Sequence, residues 1–238
     1  MNATREFQRV RATPRLYRWI AIGAVLIVFA GFAPTYYLKS VFHAPILPTL
    51  VHVHGFVMSA WIVLFATQTW LIAEHRVDIH RRVGILGAIL VVLIPILGVA
   101  TAIEGARRHA GPPGIPPLMF LVIPVFDIIV FAALAGTGLL MRQRSDFHRR
   151  LMLLATLGIL PAAIARLPLD FIRHGGPIAF FGLADLIILT CIAVDTTKHR
   201  RLHPAFGWGG ALIITSHPVR LWLTGTPAWM HFAAWLVG

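Results

Sequence analysis

The sequence predicts an all-α, polytopic membrane protein: seven transmembrane helices, arranged as one helix plus three repeated hairpins, followed by a short interfacial C-terminal helix. Three observations carry this. Of 238 residues, 58% are apolar and 13% are charged, against about 45–50% and about 25% in soluble domains. Seven stretches approach the ~20 mainly apolar residues that a spanning helix needs. The links between them alternate in charge, and 15 of the 21 basic residues fall on one side.

The elements follow in order. Residues 1–15 form a basic tail with Arg5, Arg9, Arg11 and Arg15. The first span covers 16–37. Its apolar run exceeds that of a cleavable signal, and no small-residue cleavage pattern follows, so it reads as a signal anchor. Further spans cover 50–73, 83–103, 117–141, 151–167, 177–194 and 205–223, and complete the 16–223 bundle. The segment 226–238 holds Trp229 and Trp235. It is too short to span and belongs at the interface. The links are short, so 1–238 is a single transmembrane domain with no separate catalytic unit.

Arg76, Arg81 and Arg82 follow the second span, Arg142, Arg144, Arg149 and Arg150 the fourth, and Lys198, Arg200 and Arg201 the sixth. Lys39, Arg107, Arg108 and Arg173 lie on the other side. The positive-inside rule then puts the N-terminus in the cytoplasm and the C-terminus in the periplasm, across a bacterial inner membrane. The net charge of +12 reads as orientation and contact with membrane lipids rather than nucleic-acid binding. The lone Cys191 makes no intramolecular disulfide.

Three links on the basic side resemble one another. They read Asp78-Ile79-His80-Arg81-Arg82, Asp146-Phe147-His148-Arg149-Arg150 and, more weakly, His199-Arg200-Arg201-Leu202-His203-Pro204. A polar residue precedes each histidine midway along the previous helix: Ser59 before His80, Asp127 before His148, Asp185 before His203. Helices 2–3, 4–5 and 6–7 thus read as like-oriented hairpins. Asp78 and Asp146 are suited to N-cap helices 3 and 5, and Pro204 to the first turn of helix 7. His80, His148 and His203 could equally converge as metal or haem ligands.

Ionisable groups within a bilayer cost about 2.5–3.5 kcal/mol each on insertion scales and usually face the interior. The outer half of the bundle holds His54 beside Gly55, Arg166, and His217 and Arg220 flanking Pro218, with Asp127 and Asp185 nearer the midplane. Two arginines balance two aspartates. Histidines on facing helices can hold one haem b axially, with Arg166 and Arg220 at its propionates. His54, His217, Asp127 and Asp185 could instead hold zinc, iron or copper as a hydrolase-like centre. The same groups could line a proton or solute path, or meet a partner subunit. No spanning helix contains lysine, which removes a retinal Schiff base, and no GxGxxG, Walker A, GxSxG or HExxH pattern occurs.

The string His52-x-His54-Gly55, Gln68, His80-Arg81-Arg82-x-Gly84, the run from His148 to Thr156, and Leu202-His203-Pro204 resemble uncharacterised multi-helix inner-membrane proteins of bacteria. The likeness covers helices 2 to 7 and implies topology more than activity. A looser likeness to b-type haem membrane cytochromes implies electron transfer, with other inner-membrane or redox proteins as partners. The chain departs from the two-haem arrangement, which needs histidine pairs at matched depths on two helices. The expectation is therefore a membrane protein with a buried histidine-containing cofactor site, foremost one haem b on His54 and His217.

Overall fold

The computed structural model describes the backbone of residues 3–238 and the side chains of residues 16–238. The chain is helical, with no strand among the described residues. Helix α1 spans Ala3–Phe32 and passes into a π-helical turn at Ala33–Tyr37. Then follow α2 (Thr49–Ala73), α3 (Val77–Arg107), α4 (Pro117–Phe120), α5 (Val122–Leu140), α6 (Ser145–Gly158), α7 (Pro161–Ile164), α8 (Asp170–His199), α9 (Pro204–Leu223) and α10 (Pro227–Val237). The basic tail is thus not separate from the first span, because helix begins at Ala3. The side chains of Arg5, Arg9, Arg11 and Arg15 lie outside the described residues.

Six helical segments are long and apolar enough to cross a membrane: Leu16–Tyr37, Thr49–Ala73, Val77–Arg107, Pro117–Leu140, Ser145–Ile164 and Asp170–His199. The seventh expected span, now α9, is not among them. Its 20 residues include Gly207, Gly209, Gly210, Ser216, His217, Pro218 and Arg220, which dilute its apolar character. Large side chains on the outside of the bundle are exposed and apolar, among them Phe56, Ile96, Leu140, Ile178 and Leu186. That surface suits hydrocarbon rather than water.

Helix boundaries differ from the sequence reading where charged links are themselves helical. Asp78 and Asp146 lie in the first turns of α3 and α6, while Arg76 and Arg144 occupy the cap positions without a side-chain cap bond. In the first turn a carboxylate still complements the positive end of the helix. Pro161 starts α7 just beyond α6, since it cannot donate to the preceding turn. Gly176, at φ 52° and ψ −139°, bends α8 just before Pro177. Only glycine adopts that backbone geometry without strain.

Packing then sets the neighbours. Helix α2 runs against α3, α3 against α5, and α5 against α6, while α9 lies among α5, α6 and α8. The main core includes Trp61, Phe131, Leu134, Leu154 and Phe206. Trp61 meets Phe131 edge-on at 4.9 Å, and its indole donates to Thr156 Oγ1 at 3.2 Å. Helix α10 is held more firmly than an interfacial segment requires. Trp229 and Ala233 are buried against Ala106, Leu121, Val122 and Val125, the Trp229 indole donates to the Leu118 carbonyl at 2.8 Å, and Arg107 donates to the Val237 carbonyl.

Candidate functional site

Helices α5, α8 and α9 assemble a buried charged cluster. From α9, Arg220 is 1% exposed and His217 is 2% exposed. Arg220 forms an ion pair with Asp127 of α5. It also donates to the Ser216 carbonyl at 3.2 Å, to Ser216 Oγ at 2.9 Å and to the Ile123 carbonyl at 3.4 Å. The guanidinium is therefore neutralised by one carboxylate and its remaining donors meet neutral oxygens. Proline supports the arrangement, since Pro218 lies inside α9 between His217 and Arg220 and loosens the hydrogen bonding of that turn.

His217 is held differently. Its ring stacks on Phe181 of α8, with centroids 4.2 Å apart and planes at 18°. Nδ1 lies 2.9 Å from Asp185 Oδ1 of the same helix α8. Both ring nitrogens are buried and neither has a hydrogen-bond partner among the described residues, so the contact with Asp185 is a close ion-pair approach without hydrogen-bond geometry. Phe181 also receives the Arg220 guanidinium at 5.1 Å, so one aromatic ring contacts both basic side chains. The carboxylates are the accessible edge of the cluster: the side chains of Asp127 and Asp185 are 13% and 21% exposed, and that of His217 is 3% exposed.

The expected constellation is thus brought together in part. Asp127, Asp185, His217 and Arg220 meet. Arg166 sits at the edge, exposed, with Nη1 on the Ala162 carbonyl at 2.5 Å and its guanidinium over Phe32 at 4.8 Å. His54 does not join. It lies on α2, which packs on α1 and α3 rather than extensively on α9, and its ring stands near Gly98 of α3. Gly55, expected to admit a ligand or helix, is instead covered by the Tyr36 ring. Among the described residues, no group of three or more His, Cys, Asp or Glu side chains could hold a metal ion. Of the set His54, His217, Asp127 and Asp185, Asp127 is engaged by Arg220 and Asp185 approaches His217.

The triplet at the basic end also separates. His80 and His148 approach, with ring centroids 6.4 Å apart. His148 Nδ1 is 2.7 Å from the Gly138 carbonyl and so carries the proton that it donates there. His203 instead caps α9. Its Nδ1 accepts from the Ala205 N–H at 3.2 Å, which leaves the proton on Nε2 to be donated to Asp146 Oδ2 at 3.1 Å.

Sequence reading missed three participants. Phe181 has no distinguishing signal within an apolar helix. Tyr37 reads as an interfacial aromatic, yet its hydroxyl lies 2.8 Å from Ser59 Oγ. The pair Arg150–Asp195 is buried, with both guanidinium Nε and Nη2 reaching the carboxylate at 2.8–3.0 Å. A signal existed for Asp195, the one carboxylate just before the basic run Lys198-His199-Arg200-Arg201. No family model, no curated protein and no solved structure matches this chain.

Proposed function

We propose that the chain is a seven-span bacterial inner-membrane protein, N-terminus in the cytoplasm and C-terminus in the periplasm, that handles protons at the Asp185–His217 pair. In this reading α9 is the seventh span, and α5 and α8 bring one carboxylate each to its Arg220 and His217. The activity is proton movement across the membrane, alone or coupled to a small solute.

One observation carries the reading: a buried histidine sets Nδ1 2.9 Å from Asp185 Oδ1, and neither of its ring nitrogens has a hydrogen-bond partner among the described residues. An imidazole can take a proton on one nitrogen and release one from the other. With a proton on both ring nitrogens, the pair is neutral overall against an ionised Asp185. With one fewer, it carries a single negative charge. The neighbouring Arg220–Asp127 pair is neutral and already saturated, so it supplies a fixed electrostatic background. Buried carboxylate and histidine chains of this kind serve proton relays in membrane proteins.

The test is proton uptake into liposomes that contain the purified chain and a trapped pH dye, driven by a valinomycin-set potassium potential. Wild type exceeds protein-free liposomes, and Asp185→Asn or His217→Gln lowers the rate at least tenfold. Equal rates for wild type and both variants defeat the reading, as does a wild-type rate no higher than that of empty liposomes.

A second reading is favoured by the same histidine. A carboxylate behind one ring nitrogen is how proteins orient a histidine whose other nitrogen binds a metal centre. His217 thus fits one axial bond to a b-type haem serving electron transfer to a redox partner. The fit stops there: Arg220 is engaged by Asp127 and Ser216 rather than free for a propionate. A Soret band that disappears in His217→Ala supports this second reading over the first.

A further inference from the structure

The basic end of the bundle holds a concave site that proton handling does not use. A cavity of about 220 Å3 is lined by Asp146, Arg149 and Arg150 of α6, His199 at the end of α8, and Arg201 and His203 from the link to α9. Their charges divide into two groups. Arg150 is committed to Asp195 and to the Asp146 carbonyl at 2.9 Å. His203 and Asp146 are committed to each other. His199 Nδ1 lies on the Asp195 carbonyl at 2.8 Å, which leaves its Nε2 for another partner.

Arg149 and Arg201 remain. Neither forms an ion pair with a described residue. Arg149 Nε is buried and unpartnered among the described residues, while Arg201 is exposed at the mouth. Orientation in the membrane needs arginines at this end. It does not need one of them to keep a buried, unsatisfied Nε beside a cavity whose only lining carboxylate already accepts from His203. A buried donor without an acceptor costs about 1–3 kcal/mol.

We infer that this cavity is a binding site for a phosphate monoester group, held by Arg149 and Arg201 with help from His199. A guanidinium fork matches phosphate oxygens in pairs, and a phosphomonoester carries about −1.5 to −2 charge near pH 7, which suits two arginines without ion-pair partners in a cavity whose single carboxylate offsets only one of them. The site lies where helices leave the apolar zone, so the phosphate arrives either on a lipid headgroup or free in solution.

The experiment uses the full chain in neutral detergent at 150 mM salt and follows its thermal unfolding against three probes: phosphatidic acid, phosphatidylglycerol and inorganic phosphate. Phosphatidic acid presents a monoester, and phosphatidylglycerol a singly charged diester. The site predicts stabilisation by phosphatidic acid, by inorganic phosphate, or by both, at concentrations at least tenfold below any effect of phosphatidylglycerol. Stabilisation by phosphatidic acid alone assigns the lipid source, and stabilisation by inorganic phosphate assigns the soluble one. Arg149→Gln and, separately, the exposed Arg201→Gln each weaken the effect at least tenfold, and Arg142→Gln with Arg144→Gln does not. The inference is overturned by equal response to phosphatidylglycerol, by equal loss in the Arg142/Arg144 variant, by no loss in Arg201→Gln, or by no stabilisation with any probe.

Discussion

Removing the charge of Asp127 while keeping its shape tests whether the buried cluster is organised as described. In Asp127→Asn the amide oxygen still accepts from Arg220, and Ser216 and Ile123 still supply three neutral acceptors. What disappears is the counter-charge to a guanidinium that is 1% exposed. Breaking a buried pair by removing one partner costs about 3–5 kcal/mol. The retained hydrogen bonds put Asn near about 3 kcal/mol and Asp127→Ala, which also opens space, near about 5 kcal/mol. Replacing both partners, as in Asp127→Leu with Arg220→Met, leaves no buried charge and comes within about 1 kcal/mol of wild type or above it. The single changes therefore fail to add, by at least ~2 kcal/mol. The assay is reversible unfolding in mixed micelles of increasing dodecyl sulfate content, followed by circular dichroism. A cost for Asp127→Asn below about 1 kcal/mol, the range of exposed pairs, with additive single changes, refutes the argument.

Four other outcomes are expected. Arg150→Lys keeps the charge but not the two-pronged contact with Asp195, and lowers stability by about 1–3 kcal/mol in the same micelle titration. Gly31→Ala places a Cβ against the Ala163 carbonyl between α1 and α7 and costs about 1–3 kcal/mol. Gly23→Ala on the same helix faces open space and gains about 0.5–1 kcal/mol from helix propensity, so the two thermal midpoints move in opposite directions. Trp229→Phe leaves the Leu118 carbonyl without its donor and costs about 1 kcal/mol, measured as earlier cleavage by a protease near the α10 junction. Reporters fused after Gly238 read the parity of the bundle: alkaline phosphatase is active and a fluorescent protein dark there with seven spans, and the reverse holds with six.

The meeting of Asp127, Asp185, His217 and Arg220 was legible because charges within apolar helices need one another, and few other partners existed at that depth. The absence of His54 from that group was not legible. Its depth along α2 follows from counting residues, but the neighbour of α2 depends on how helices pack, and the sequence pattern alone did not place α3 rather than α9 beside it. The repeated Asp-x-His-Arg-Arg strings were visible, and their roles were not. Extension of α3 and α6 through them moved Asp78 and Asp146 from the cap into the first turn, and His203 took the capping task in the third string. Arg150 looked like one more basic residue of a link. Its burial depends on Asp195 reaching it from α8 across a separation of 45 residues.

Helix α9 draws these points together. It is the segment least suited by composition to cross a bilayer, yet Phe206, Gly209, Gly210, Ile213, Ser216, His217 and Arg220 are all buried. Both facts have one cause. Its glycines let α6 and α8 approach: a Cβ at Gly209 would meet Leu154 at 2.8 Å, and one at Gly210 would meet Ile192 at 2.6 Å. That close approach is what brings Asp185 within reach of His217, while Asp127 comes from α5 on another side. Neither carboxylate is favourable in hydrocarbon without α9, and α9 is not favourable there without them. The polar groups of α9 therefore belong to the packed bundle rather than to the helix alone. The same dependence makes the cluster a poor candidate for mere surface decoration: Arg220 is offset by Asp127 on another helix, while His217 and Asp185 approach at 2.9 Å without completing their hydrogen bonds.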